Sequence, residues 1–205
     1  MNTKPGKTSV LAGAAFVASC LATTAARAED LIIKQPGRHR DYSVELEPHA
    51  AFGFFVPSAG SGIGIGGRVT IPIVRNGFVK SINNGVGIGF GLDWVHYNGC
   101  YFVVNAAGEC ASLNRIWFPV VMQWNFYLSP HWTVFGEPGL AIAYSHWGPG
   151  CVPDNRGFVC GPEPNRVDLE PFIIFFGGQF HFSDGASLTM RIGWPYASVG
   201  VSFFP

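Results

Sequence analysis

The sequence predicts an all-β protein, an eight-stranded antiparallel up-and-down transmembrane β-barrel. Three observations predict it: apolar and polar residues alternate with a period of two, the connections alternate between short and long, and charge is scarce. Of the 205 residues, 13% are charged and 15% aromatic, whereas soluble domains carry about 25% charged residues. The 27 glycines and 15 prolines disfavour a helical bundle. The balance of 13 basic and 13 acidic residues disfavours a nucleic-acid-binding protein, which would show a basic face.

Residues 1–28 have the pattern of a cleaved secretory signal peptide. Lys4 and Lys7 make the start basic, and residues 9–22 form an apolar run without charge. Ala26-Arg27-Ala28 then supplies the small residues of a cleavage site. The apolar run is too short to serve comfortably as a membrane anchor. We therefore expect export from the cytoplasm.

Two expectations on domain organisation follow from export. Residues 29–42 become a periplasmic N-terminal tail, and residues 43–205 become the barrel domain. An alternative to simple cleavage is lipidation of Cys20, because Val17-Ala18-Ser19-Cys20 resembles a lipobox. Cys20 lies inside the apolar run and a good cleavage site follows it, so cleavage after residue 28 is favoured.

The strands are predicted from the alternation. Ile63, Ile65 and Ile71 share one parity, whereas Gly64 and Arg68 lie on the other. Continued along the chain, the pattern predicts eight strands, over residues 43–56, 62–74, 85–97, 113–128, 132–146, 167–182, 186–194 and 196–204. Several of them exceed the five or six residues typical of globular sheets. Their length suits tilted transmembrane strands, which need about 9–11 residues.

The connections support the same topology. Residues 129–131 and 183–185 read as tight turns, whereas residues 98–112 and 147–166 read as long loops. Outer-membrane barrels have short periplasmic turns and long extracellular loops. The connection over 75–84 is longer than this rule expects.

Charges within the predicted strands all fall on the parity opposite the apolar residues. Facing lipid, an Arg or Lys at mid-depth would cost about 2–4 kcal/mol, so we expect these side chains to face the lumen and pair there. This predicted lumen charge network comprises Glu45, Glu47, Arg68, Asp93, Arg115, Glu137, Asp168, Glu170 and Arg191. Its three arginines are predicted to centre a plug, because an eight-stranded barrel is only wide enough for side chains to fill.

Other polar residues extend the inward set. His49, Gln123 and Asn125 share the parity of the charges. Gln179 and His181 join them only if Gly177-Gly178 forms a β-bulge that shifts the parity.

Aromatic residues gather near the predicted strand ends, which predicts two girdles at the membrane interfaces. The outer girdle is expected to contain Trp94, Tyr97, Trp117, Tyr144, Trp147 and Trp194. The inner girdle is expected to contain Trp124, Tyr127, Trp132, Phe182 and Phe203.

Four cysteines remain after signal cleavage, which is an even number in an exported chain. We expect two local disulfides, Cys100–Cys110 and Cys151–Cys160, with pairing between the two loops as the alternative. A zinc site is disfavoured because neither spacing is the short C-x₂₋₄-C of structural sites. We expect no metal and no cofactor.

Taken together, residues 43–204 resemble the small outer-membrane β-barrel superfamily of OmpA-, OmpX- and OmpW-like proteins. The C-terminal alternation of Ala197, Val199, Val201 and Phe203 looks like the β-signal read by the barrel-assembly machinery, although the chain ends in Phe204-Pro205. The resemblance implies a monomer in the outer membrane of a Gram-negative bacterium. Outer-membrane lipid and lipopolysaccharide, and a ligand at the cell surface, are its expected partners.

The function is predicted less sharply than the fold. The leading hypothesis is a barrel with a side-chain-filled lumen and a structural or surface-interaction role. One alternative is a narrow channel for small solutes or OmpW-like passage of small apolar molecules. A second is an outer-leaflet lipid acyl hydrolase or transferase, but Ser145 and His146 are adjacent in a strand and point to opposite faces.

Overall fold

The computed structural model describes residues 31–56, 60–104, 110–148, 150–154, 157–161 and 165–205. Within these ranges it leaves undescribed the side chains of residues 55–56, 98–104, 110–111, 150–154 and 157–161. The predicted signal peptide, and Cys20 within it, lie outside the described residues. No helix in the described ranges is long and apolar enough to cross a membrane.

The described part of the chain forms ten strands. They are β1 (Glu45–Val56), β2 (Gly60–Val74), β3 (Asn84–Val104), β4 (Cys110–Tyr127), β5 (Trp132–Trp147), β6 (Gly150–Asp154), β7 (Gly157–Gly161), β8 (Arg166–His181), β9 (Ala186–Trp194) and β10 (Tyr196–Phe203).

Eight of these strands close into an antiparallel barrel in the order β1-β10-β9-β8-β5-β4-β3-β2. β6 and β7 form a separate two-stranded hairpin between β5 and β8. The predicted fold class is confirmed. β3 and β4 are longer than the alternation indicated, and the β6–β7 hairpin falls in a region predicted to be loop.

The two ends of the barrel differ. One end, here called the turn end, carries the connections 75–83, 128–131 and 182–185 together with residues 31–44. The other, called the loop end, carries the extensions of β3 and β4 and the β6–β7 hairpin.

The outer face of the barrel is apolar. On β2, Ile63, Ile65, Ile71 and Ile73 are between 45% and 69% exposed, whereas Arg68 is 2% exposed. The same alternation continues around the wall, so large apolar side chains cover the outside and polar ones the inside. An apolar surface this extensive is typical of a protein that meets lipid.

A β-bulge in β8 sets which of its residues face inward. Gly139 of β5 pairs with Ile173 and Ala141 pairs with Glu170, so Leu140 lies opposite two residues, Pro171 and Phe172. Proline lacks the N–H that a regular ladder requires, which is why it favours bulges.

The bulge considered at Gly177-Gly178 does not form. Pairing is continuous there, since Phe135 pairs with Gly177 and Val134 with Gly178. The parity shift at Pro171 still brings Gln179 and His181 to the inside, where both are buried.

The lumen near the loop end is filled by an apolar core. Tyr97 and Trp117 are completely buried in it, so their predicted place in the outer girdle is wrong. Both lie on the inward parity of their strands, the same parity as the charged residues Asp93 and Arg115. The core also contains Ala51, Val95, Leu113, Val121, Ala141, Ala143, Ile173, Phe175 and Tyr196.

Glycines on the inward face of β2 let the side chains of β3 lie flat against it. A Cβ added to Gly64 would lie 2.7 Å from the Val95 Cα, which is backbone that cannot yield. A Cβ added to Gly66 would lie 2.6 Å from the His49 Nε2. Packing thus requires glycine at positions 64 and 66.

We predict that Gly64→Ala destabilises the folded barrel by about 1–3 kcal/mol, because the added methyl overpacks the wall between β2 and β3. Gly185→Ala is the matched control, since a Cβ at Gly185 meets no atom within 4 Å. Urea unfolding in lipid vesicles, followed by the gel shift between folded and unfolded barrel, measures both. Equal midpoints for the two variants would contradict the packing account.

Candidate functional site: a ring of charges in the lumen

The centre of the lumen is occupied by charged side chains from five strands. Arg191 of β9 lies between two carboxylates. Its Nη1 and Nη2 donate to the two oxygens of Glu47, the second bond at 2.6 Å, and its Nε donates to Glu137 Oε2 at 2.9 Å. Bidentate arginine–carboxylate bonds of this kind are among the strongest charge-assisted hydrogen bonds.

Arg68 of β2 extends this chain of charged side chains. Its Nη1 donates to the same oxygen of Glu137, and its Nη2 lies 3.7 Å from Asp93 Oδ2. Tyr196 joins these two groups, because its hydroxyl accepts a bond of 3.2 Å from Arg68 and donates to Asp93.

His49 of β1 closes the series into a ring. Its Nε2 lies 2.6 Å from Asp93 Oδ1, and its Nδ1 lies 3.4 Å from Glu47 Oε1. Nε2 is hydrogen-bonded to Asp93, whereas Nδ1 faces Glu47 at ion-pair distance without a hydrogen bond. A ring that lies between two carboxylates is favoured in its charged form. The geometry therefore fits an imidazolium.

The result, here called the charge ring, alternates in sign. Around it run Glu47, His49, Asp93, Arg68, Glu137 and Arg191. With His49 protonated, three cations face three carboxylates and the ring is neutral. Each of the six residues is at most 6% exposed, which makes pairing obligatory because an unpaired charge in such a place is strongly disfavoured.

Aromatic rings pack against the two arginines. The Arg191 guanidinium carbon lies 5.2 Å from the centre of the Phe135 ring, and that of Arg68 lies 5.3 Å from the centre of the Phe175 ring. Both distances are within the range of cation–π contacts. The charge ring thus fits tightly against the wall of the lumen.

Towards the turn end, the lumen contains neutral hydrogen-bonding groups around Glu45. Its Oε1 accepts bonds from Gln179 Nε2 at 2.5 Å and from Ser202 Oγ at 2.6 Å. Its Oε2 lies 3.4 Å from Gln123 Nε2. Glu45 is therefore held by amides and a hydroxyl and lies outside the charge ring.

Residues 31–42, here called the N-terminal segment, pack across the turn end. The Ile32 N–H donates to the Leu128 carbonyl at 3.0 Å, and the Asn83 N–H donates to the Ile33 carbonyl at 2.6 Å. The His39 ring stacks on Tyr127 with centroids 4.2 Å apart.

The rest of the N-terminal segment reaches other turns. Arg40 pairs with Asp184 at 2.7 Å, and Asp41 pairs with Arg75 at 3.2 Å. Tyr42 meets Phe204 edge to face, with centroids 5.0 Å apart. Burial raises the pKa of the Tyr42 phenol well above its usual range. The segment is thus an ordered cover over the turn end, whereas the sequence predicted a tail.

Besides Glu45, three predicted members of the charge network lie outside the charge ring. Arg115 and Glu170 form their own pair at 2.5 Å in the loop-end half, where Trp117 also donates to Glu170 at 3.2 Å. Asp168 pairs at 2.7 Å with Arg166, whose side chain is 75% exposed. Arg115 therefore does not centre the plug, because the bulky apolar core separates these pairs from the charge ring.

Two features of the charge ring were not predicted from the sequence. Tyr196 was not recognised, although it shares the parity of Ser198 and Ser202, which alternate with the apolar residues of β10. His49 was placed on the inward face but not in the network. What links these residues is a set of contacts between strands far apart in sequence, which alternation within one strand does not report.

The remaining predicted sites lie outside the lumen. Ala197, Val199, Val201 and Phe203 face outward from β10, in alternation with buried residues. The side chains of the four cysteines are not described. On the backbone, Cys151 lies directly opposite Cys160, while Cys110 is paired with Val104 after a register shift. Among the residues described, no group of three His, Cys, Asp or Glu side chains could hold a metal ion.

Ser145 and His146 do not form a hydrolytic pair. Ser145 is buried on the inner face of β5, whereas the exposed His146 bonds through Nδ1 to Asn165 Oδ1 at 2.6 Å. Adjacent strand residues point to opposite faces of the wall, as the sequence analysis expected.

Comparisons with known proteins give structural matches only. No family model and no curated protein matches the chain. Ail of Yersinia pestis, solved in complex with the heparin analogue sucrose octasulfate, has a TM-score of 0.50 and 10% identity, over 80% of this chain and 99% of that chain. The chain therefore has the fold of an eight-stranded β-barrel like that of this outer-membrane protein. At such identity the likeness concerns the fold alone.

Two further solved structures have the same architecture at lower scores. Neisserial surface protein A has a TM-score of 0.49 and 11% identity, over 81% of this chain and 100% of that chain. OprG from Pseudomonas aeruginosa has a TM-score of 0.41 and 13% identity, over 83% of this chain and 94% of that chain. In outer-membrane barrels the short turns face the periplasm and the long loops face the exterior, so the orientation expected from the sequence places the turn end in the periplasm and the loop end outside.

We predict that Arg191→Ala lowers the free energy of unfolding by about 3–5 kcal/mol, because Glu47 loses its bidentate partner in a dry site. Arg166→Ala is the control and should have little effect, since its pair with Asp168 is solvent-exposed. Urea unfolding of both variants in lipid vesicles measures the difference. A loss for Arg191→Ala no larger than that for Arg166→Ala would show that water already solvates the charge ring.

Proposed function

We propose that this outer-membrane barrel is a closed, non-conducting scaffold that presents its loop-end strands at the cell surface for contact with a ligand. The observation that carries the proposal is the charge ring, in which six buried side chains from β1, β2, β3, β5 and β9 bond across the lumen. A conducting pore would need water along this path, and water would compete for these same hydrogen bonds.

Other layers of the lumen support closure on either side of the charge ring. The apolar core around Trp117 lies towards the loop end, and the cluster around Glu45 lies towards the turn end. The N-terminal segment covers the turn end. A path for solutes would have to pass all four layers.

The loop end supplies the proposed contact surface. The last pair between β4 and β5 joins Leu113 to Trp147, so β4 and its partner β3 extend beyond β5. β6 lies against these extensions. Together they form a small projecting β structure, which suits a surface that must keep its shape.

Two local disulfides would stiffen this surface. Cys151 is the direct register partner of Cys160, which favours pairing within that loop. Cys100 follows the Gly99–Ala111 pair, beyond which the register shifts and Cys110 pairs with Val104, so the Cys100–Cys110 bridge is proposed from the shortness of the loop. A ring of about ten residues would contribute roughly 2–3 kcal/mol, mainly by restricting the unfolded loop.

The alternatives have less support. Lateral passage would need a gap near the glycine-rich strands, whereas β2 and β3 pair from Gly62–Tyr97 to Val74–Val86 with one register shift. An acyl hydrolase would need a nucleophile and a base on one face, and Ser145 and His146 are on opposite faces.

We predict that the refolded wild-type barrel gives no stable single-channel steps in a planar lipid bilayer. A porin serves as the positive control for reconstitution, and the gel shift on heating confirms folding. A variant lacking residues 31–42 should also be silent, because the charge ring closes the lumen without the N-terminal segment.

Stable current steps from the wild-type protein would contradict the proposed closed scaffold. Steps from the shortened variant alone would locate the seal in the N-terminal segment and would contradict the role given to the charge ring.

A further inference from the structure

The outer face of the barrel carries a row of polar side chains at its loop end. His96 of β3 pairs in register with Asn114 of β4, and Asn114 pairs with His146 of β5. Asn165 follows on the next strand, because Ser145 pairs with Arg166 at the start of β8. These four residues, here called the polar row, lie side by side across four neighbouring strands.

Hydrogen bonds hold the members of the polar row in place. Asn114 Oδ1 lies 3.0 Å from His96 Nδ1 and accepts a bond of 3.2 Å from Trp94 Nε1. His146 Nδ1 lies 2.6 Å from Asn165 Oδ1. Since an amide oxygen only accepts, each Nδ1 is a donor in these bonds, which fixes the orientation of both imidazoles.

The outer face is apolar directly below the polar row. Leu92, Phe118, Ile142 and Leu169, on the same four strands, are between 46% and 65% exposed. The polar row therefore lies where the apolar band ends. Trp94 lies just below it, as expected of an aromatic residue at the level of the lipid headgroups.

The outward positions at the opposite end of these strands are mainly aromatic, with Phe126, Trp132, Phe180 and Phe182. The polar residues described there form no row, because Asn84 is 2% exposed and His131 packs against the Phe180 ring. A connected row of polar side chains therefore lies at the loop end, the end expected to face the exterior, which points to a ligand in the outer leaflet.

An apolar groove adjoins the polar row. It encloses about 540 Å³ on the outer face of β1, β2 and β3, with Phe52, Phe54 and Ile63 in its lining. His96 belongs to both features, since it also lines the groove. A polar site and an apolar groove are therefore contiguous on one surface.

We propose that the polar row and the groove together bind a phosphorylated glycolipid of the outer leaflet. The amides of Asn114 and Asn165 both donate and accept, which suits sugar hydroxyls. The imidazoles of the polar row supply donors for a phosphate when charged. The groove takes an acyl chain of the same lipid.

The proposal goes beyond the closed scaffold and does not depend on it, because the polar row lies on the outer wall and the charge ring inside the lumen. It commits to a lipid whose headgroup carries several hydroxyls and phosphate. A phospholipid with a small headgroup offers far fewer groups to four side chains spread over four strands.

The test uses the refolded barrel in nanodiscs that contain equal amounts of bisphosphorylated lipid A and phosphatidylglycerol. Native mass spectrometry measures which lipid stays bound after gentle removal of the disc. The wild-type barrel should retain lipid A preferentially. H96F/H146F, which keeps the rings aromatic and removes the nitrogens, should lower that preference by about tenfold, the effect of losing one or two hydrogen bonds.

The matched control is F126L/F180L, which alters two rings on the same outer face at the turn end and should keep the wild-type preference. The gel shift on heating reports whether each variant folds. If H96F/H146F does not fold, N114L/N165L is measured in its place with the same expected loss. Equal retention of the two lipids by the wild-type barrel, or an unchanged preference in the variant of the polar row, would overturn the proposal.

Discussion

The structure depends on one constraint, that charge placed inside a narrow barrel must be neutralised inside it. Eight strands enclose a lumen just wide enough for side chains, so there is little room for water to solvate a carboxylate. The charge ring satisfies this constraint because three carboxylates alternate with Arg68, Arg191 and His49. Each charged side chain of the ring therefore contacts neighbours of opposite sign. Glu45 is held differently, by amide and hydroxyl donors.

Packing and closure follow from this arrangement. The guanidinium groups need flat partners, which Phe135 and Phe175 provide. Asp93 and His49 can meet because Gly66 leaves space between them on β2. With the lumen filled from wall to wall, the barrel is suited to holding a shape at the membrane surface, and the parts left for recognition are the loop end and the outer wall.

Alternation and loop lengths were sufficient to predict the barrel, its eight strands and the inward parity of its charges. They could not predict which charges meet, because Arg191 and Glu47 are 144 residues apart and their contact depends on strand stagger around the closed wall. Tyr97 and Trp117 were predicted in the outer girdle because they lie near strand ends. Their parity is inward, however, and both side chains are buried in the lumen. The bulge of β8 lies at Pro171-Phe172 and not at the two glycines considered from the sequence. Proline by itself does not locate a bulge, because Pro119 and Pro138 pair in continuous register.

The most direct test of the charge ring is a double-mutant cycle on Arg191 and Glu47, measured as the free energy of unfolding in lipid vesicles. Arg191→Met and Glu47→Met each leave one buried charge without its partner, whereas the double variant removes one charge of each sign and keeps the lumen neutral. The account predicts a double variant close to the wild type, with a coupling of about 3 kcal/mol between the two sites. A double variant as unstable as the sum of the two single variants would contradict it.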